Sequence, residues 1–103
     1  MAFPRMIRIR QKFHAPKVDD IPAEVEQQLA ALNLQSKVQA GQTVAITAGS
    51  RGIANVAVIT KAICDHVKSL DATPVIIPAM GSHGGGTAEG QRAILEGYGI
   101  TEE

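Results

Sequence analysis

Thr43-Val44-Ala45-Ile46-Thr47 and Thr73-Pro74-Val75-Ile76-Ile77-Pro78 are two short apolar, β-branched runs, and the chain between them decides the fold. Runs of this kind are typical of strands covered on both faces, as in parallel sheets. Pro74 fits at a strand start, where a missing N–H is tolerated. Ala48-Gly49-Ser50-Arg51-Gly52 forms the loop after the first run. From Ala54 to Leu70 the residues Val56, Ile59, Ile63, Val67 and Leu70 recur at intervals of three and four, with Lys61, Asp65 and Lys68 pointing away. That stripe predicts an amphipathic helix. A strand, a helix and a second strand in this order imply a right-handed parallel crossover. The second strand runs into Gly81-Ser82-His83-Gly84-Gly85-Gly86, then a helix that opens at Thr87 as N-cap and carries Ile94, Leu95 and Tyr98.

Residues 40–103 therefore read as a βαβα core, and the fold class is α/β: a three-layer, Rossmann-like parallel sheet with crossover helices. Two or three parallel strands cannot bury both faces and both edges of their sheet. The last helix stops at Gly99, where another strand is due, so the domain reads as truncated.

Upstream, residues 1–39 read as an edge strand followed by a helix. Ile7, Ile9 and Phe13 alternate with Arg8, Arg10 and Lys12, which predicts a half-buried strand over 6–13 with its basic face in water. Asp20 and Pro22 are helix-start signals, and Val25, Leu29 and Leu32 follow at helical spacing, which predicts a helix over about 22–32.

Composition narrows the functional classes. Ten basic and ten acidic residues give zero formal charge, so no long-range field recruits nucleic acid or an acidic membrane. Phe3, Phe13 and Tyr98 are the only aromatics, too few for a base-stacking platform. The single cysteine, Cys64, excludes an internal disulfide and points to a reducing compartment. No segment resembles a signal peptide or a membrane span, so a cytoplasmic location is expected.

Ligands of open parallel sheets bind beyond the carboxyl ends of the strands, and both glycine-rich loops lie there. Arg51, between two glycines, suits bidentate pairing with a carboxylate or phosphate, with Ser50 beside it. A solvated loop arginine, or one paired to a nearby acid, is the competing reading. His83 sits among glycines just before a helix N-terminus, a place favourable to anions. Histidine changes charge near neutrality, so a proton shuttle or an anion clamp is open to it. The alternative is a flexible loop whose histidine makes a backbone hydrogen bond. His14 reads as exposed and His66 as a helix-surface residue. Cys64, beside its helix's apolar stripe, reads as a small buried hydrophobe. Three scattered histidines and one cysteine encode no metal site within the chain. The residues of the dinucleotide fingerprint and the Walker lysine are missing.

Val44-Ala-Ile-Thr-Ala-Gly-Ser-Arg-Gly-Ile53, then Pro78-Ala-Met-Gly-Ser-His-Gly-Gly-Gly-Thr-Ala-Glu-Gly-Gln91 and Leu95-Glu-Gly-Tyr-Gly-Ile100, resemble the N-terminal domain of the lactate racemase family. The resemblance covers roughly residues 40–103, and the histidine loop is its most specific part. It implies a racemase or epimerase that inverts a 2-hydroxyacid through hydride transfer to a nickel-pincer nucleotide. It further implies that His83 exchanges the hydroxyl proton and that Arg51 lies near the substrate carboxylate; Ser50, next to Arg51, is expected as a further substrate contact. Gly84, Gly85 and Thr87 are the expected cofactor contacts. Some members carry an aspartate where this chain has Ala48, which leaves the hydroxyacid open, a longer or sugar-derived acid included. The partner histidine, the lysine tethering the cofactor and the nickel ligand are expected downstream, in the rest of the polypeptide. These 103 residues then read as a catalytically inert fragment, completed by that polypeptide or by self-association. The competing class is an α/β module, not a racemase, that binds an anion or phosphate at the 81–87 loop.

Overall fold

The computed structural model describes residues 1–102. Helix α1 spans Ile21–Ala31 and is followed by a short 3₁₀ turn at Leu34–Ser36. Strand β1 (Thr43–Ala48), helix α2 (Val56–Ser69), strand β2 (Thr73–Pro78), a 3₁₀ turn at His83–Gly86 and helix α3 (Ala88–Gly97) complete the order. This is an α/β chain whose two strands pair in parallel, with Thr43 opposite Thr73 and Ala48 opposite Pro78. The helix expected between the strands is α2.

Helices α1 and α3 carry the side-chain N-caps their sequence supplies, whereas Asn55 before α2 is left-handed and makes no capping bond. The Asp20 side chain accepts from the Ala23 N–H at 3.0 Å, and proline sits in the first turn of α1. The Thr87 hydroxyl accepts from the Gly90 N–H at 3.1 Å at the start of α3. After α2, Asp71 turns left-handed at φ +57° while the Ala72 N–H reaches back to the Val67 carbonyl at 3.3 Å. That closing bond delivers the chain directly into β2, where the Thr73 N–H meets the Gln42 carbonyl at 2.8 Å.

Burial alternates along both strands. Val44, Ile46, Ala48, Pro74, Ile76 and Pro78 lie on the covered face, and Ile76 packs on the cluster of Ala48, Met80 and Leu95 with Ile94 and Ile100. The opposite face is open, with Val75 43% and Ile77 44% exposed. The expectation of strands covered on both faces is corrected on this point: among the described residues only one face is shielded.

The edge strand expected over 6–13 is also corrected. Residues 1–18 form no regular element, and Ile7, Ile9 and Phe13 are largely exposed. Alternation marks a face that could be covered, but a strand forms only where a neighbour takes up its N–H and C=O groups. Among the described residues the sheet holds β1 and β2 alone. The radius of gyration, 19.1 Å against about 13 Å for a compact chain of this length, reflects the same extended arm.

Candidate functional site at the strand carboxyl ends

Both glycine-rich loops leave the same end of the parallel pair, because parallel strands deliver their carboxyl ends to one side. The loop after β1 carries Ser50 and Arg51; the turn after β2 carries His83. The Ala79 N–H donates to the Ala48 carbonyl at 2.7 Å, which extends the pairing beyond the strands and holds the loop bases together.

Three side chains meet there. His83 Nδ1 is hydrogen-bonded to Ser50 Oγ, and Arg51 Nη2 donates to His83 Nε2 at 3.0 Å. A guanidinium has only N–H donors, so Nε2 is the acceptor in this arrangement. The ring proton then lies on Nδ1 and points at the Ser50 oxygen. Arg51 is exposed, whereas Ser50 and His83 are half-buried. The pair is thus anchored on its serine side and open on its arginine side.

Helix α3 buttresses the site from behind. The Tyr98 hydroxyl donates to the Ser50 carbonyl, and Gln91 Nε2 donates to the carbonyls of Gly81 at 2.8 Å and His83 at 3.2 Å. A small cleft of about 110 Å³ opens beside the first loop, lined by Ser50, Arg51, Ile53, Val56 and Tyr98 among others.

The glycines of the second loop divide by role. Gly84, at φ +64°, lies flat against Gly90 of α3; a Cβ on Gly84 would come within 2.5 Å of the Gly90 backbone, and one on Gly90 within 1.9 Å of the Gly84 oxygen. This close approach locks the turn onto the helix. The Thr87 hydroxyl is engaged in the same lock, donating to the Gly84 carbonyl at 3.2 Å while it caps Gly90. Gly85 faces open space, so of the three expected cofactor contacts it alone is free of internal packing.

Sequence reasoning placed Ser50, Arg51 and His83 at one end of the sheet and missed Tyr98, Gln91 and Gly90. Gln91 and Gly90 stand inside the quoted histidine motif, which was the available signal. It also placed His66 on the surface. That reading is corrected: His66 is 8% exposed and its Nδ1 meets Glu26 Oε2 at 2.9 Å, which ties α2 to α1. A second cleft, about 210 Å³, lies at this junction, remote from the strand ends. Cys64 is half-buried, and burial pushes its thiol above the ordinary range, as suits a packing residue.

The chain matches no family model, and no curated protein or solved structure matches it. Among the described residues no helix is long and apolar enough to cross a membrane.

Proposed function

We propose that this chain is the N-terminal part of a racemase or epimerase acting on 2-hydroxyacids, with His83 as the group that accepts and returns the hydroxyl proton. The observation that carries the reading is the pairing of Arg51 Nη2 with His83 Nε2 at 3.0 Å. A 2-hydroxyacid carries its carboxylate and its hydroxyl on adjacent carbons. An anion clamp and a proton acceptor placed side by side match that spacing.

Each residue then has a definite task. Arg51 takes the carboxylate through its planar fork and fixes the orientation of the acid. His83 Nε2 faces the hydroxyl and takes its proton, while Nδ1–H stays on Ser50. Tyr98 and Gln91 hold the two loops at their backbone carbonyls, so the spacing does not drift. The small cleft beside Ser50 and Arg51, with Ile53 and Val56 on its wall, gives the body of a short acid a place next to the clamp.

The resemblance implies a nickel-pincer nucleotide as hydride acceptor. The donors that meet at the loops are the His83 imidazole, the Ser50 hydroxyl and the Arg51 guanidinium, and a cationic guanidinium against the imidazole repels a metal ion. Among the described residues no three His, Cys, Asp or Glu side chains come together. These residues do not fit as nickel ligands, and the proposal places the metal's ligands outside the chain. The same holds for the second covering layer of a Rossmann-like sheet. The open sheet face, with Val75 43% and Ile77 44% exposed, is the surface such a layer would cover. The reading places the protein in the cytoplasm, in keeping with its lone free thiol.

The test is enantiomer conversion. Single enantiomers of lactate, glycerate and sugar-derived 2-hydroxyacids are incubated with the cofactor-loaded full-length protein and resolved by chiral chromatography. Appearance of the opposite enantiomer supports the proposal. Its absence across the panel, together with saturable phosphate binding at the 81–87 loop, supports an anion-binding module instead.

A further inference from the structure

The hydrogen bond from Arg51 to His83 has a chemical consequence. An imidazole nitrogen has one lone pair, and in this structure the lone pair of Nε2 is occupied by a guanidinium N–H. A base so engaged cannot accept a proton from anything else. The other ring nitrogen is committed to Ser50. The unliganded site therefore holds its base in a covered state.

We propose that Arg51 masks His83 Nε2 in the free protein and that a substrate carboxylate unmasks it, with Ser50 as the positioning residue that keeps the ring proton on Nδ1. The energetic order follows from charge. A guanidinium bound to a neutral ring makes a single hydrogen bond. The same guanidinium bound to a carboxylate makes charge-assisted bonds about twice as strong, and two of them when the pairing is bidentate. Arg51 is exposed and sits between glycines, so its side chain can leave the ring without disturbing the core. His83 stays behind, because its Nδ1 is held by Ser50 and its carbonyl by Gln91.

Selectivity for hydroxyacids follows from this arrangement. A neutral alcohol or amide of the same size has nothing that draws Arg51 away, so it meets a blocked base. A simple carboxylate unmasks Nε2 but presents no hydroxyl to it. Only a molecule with both groups on neighbouring carbons opens the site and uses it. Ser50 also leaves its own O–H free to donate, since Oγ accepts from Nδ1–H.

This inference rests on the racemase reading for its substrate class, and its test does not depend on turnover. The ring nitrogens of His83 are followed by long-range ¹⁵N–¹H correlation in the ¹⁵N-histidine-labelled, cofactor-free full-length protein at neutral pH, with His83→Gln identifying its resonances by their loss. Acetate, lactate and lactamide are titrated in turn. The free chain should show hydrogen on Nδ1 and none on Nε2. Acetate and lactate should shift the Nε2 resonance saturably and lactamide should leave it in place. Arg51→Gln should abolish the response, and with acetate bound and Arg51 drawn away Ser50→Ala should redistribute the ring proton toward Nε2 while Ser50→Thr restores it. A proton on Nε2 in the free chain, equal shifts with lactamide and lactate, or no shift at saturating salt-matched acetate would overturn the proposal. Enantiomer conversion is scored separately, so the mask can stand while the racemase reading falls, and the reverse.

Discussion

Arg51 Nη2 lies 3.0 Å from His83 Nε2 although the two residues are 32 positions apart and follow different strands. Their meeting is a product of the parallel crossover, which brings the ends of β1 and β2 to one side. Replacing the fork by a point charge should therefore spare the fold and weaken the clamp. Arg51→Lys is expected to raise KM for the hydroxyacid roughly ten- to a hundred-fold, as losing a charged hydrogen bond of about 1.5–3 kcal/mol implies. Steady-state kinetics with kcat and KM resolved checks this.

The lock between Gly84 and Gly90 predicts a sharp contrast among glycines. Gly90→Ala sets a methyl 1.9 Å from a backbone oxygen and should cost several kcal/mol or displace the His83 turn. Gly85→Ala meets open space and should cost only about 1 kcal/mol for its left-handed backbone at φ +68°. Urea unfolding of the two variants measures the difference, and equal losses would show that Gly90 and Gly84 do not touch.

At the other end of α2, His66 joins Glu26 across the interface with α1. Removing the buried ring should be the more damaging change: His66→Ala is expected to cost about 1–3 kcal/mol through the void and the lost contact. Glu26 is well exposed, with a side chain 59% accessible. Glu26→Gln should cost less than about 1 kcal/mol, as is usual for exposed partners. Hydrogen exchange should place the loss in α1 rather than in the strands.

Burial pushes the Cys64 thiol up. The folded state therefore favours the protonated form more than the unfolded state does. Stability from this group is whole below the thiol's ordinary pKa and declines as pH rises past it, because the unfolded chain then ionises first. Alkylation by iodoacetamide at pH 8 should be several times slower in the folded chain than in urea, where the thiol is free. Equal rates would place Cys64 in a more open setting.

The parts of the fold that were legible in the sequence are those fixed by local pattern. Val44, Ile46, Ile76 and the stripe from Val56 to Val67 announced a strand–helix–strand unit, and Asp20, Pro22 and Thr87 marked helix starts. The parts that were not legible depend on partners distant in sequence. Ile7, Ile9 and Phe13 alternate as a strand does, yet no neighbouring strand takes up their backbone among the described residues. His66 sits between Asp65 and Val67 with nothing local to show that Glu26, 40 residues earlier, closes over it. The same limit applies at the site. Two glycine-rich loops beyond the strand ends were legible as neighbours, but the order Ser50–His83–Arg51, the hold of Tyr98 on the Ser50 carbonyl and the absence of His83 from the small cleft's lining depend on side-chain geometry. Gly84 and Thr87 were expected as cofactor contacts because glycine and a hydroxyl before a helix suit anions; that they also pack on Gly90 is a tertiary fact the sequence does not carry.

The central claim is that His83 carries the hydroxyl proton, and the most direct measurement is the racemisation rate of the cofactor-loaded full-length protein with and without this ring. His83→Ala should lower turnover by roughly two to four orders of magnitude, the usual worth of a positioned acid or base. Nickel and nucleotide content, measured on the same samples, should match wild type. Undiminished racemisation in His83→Ala, or a loss of activity that tracks a loss of nickel, would contradict the account.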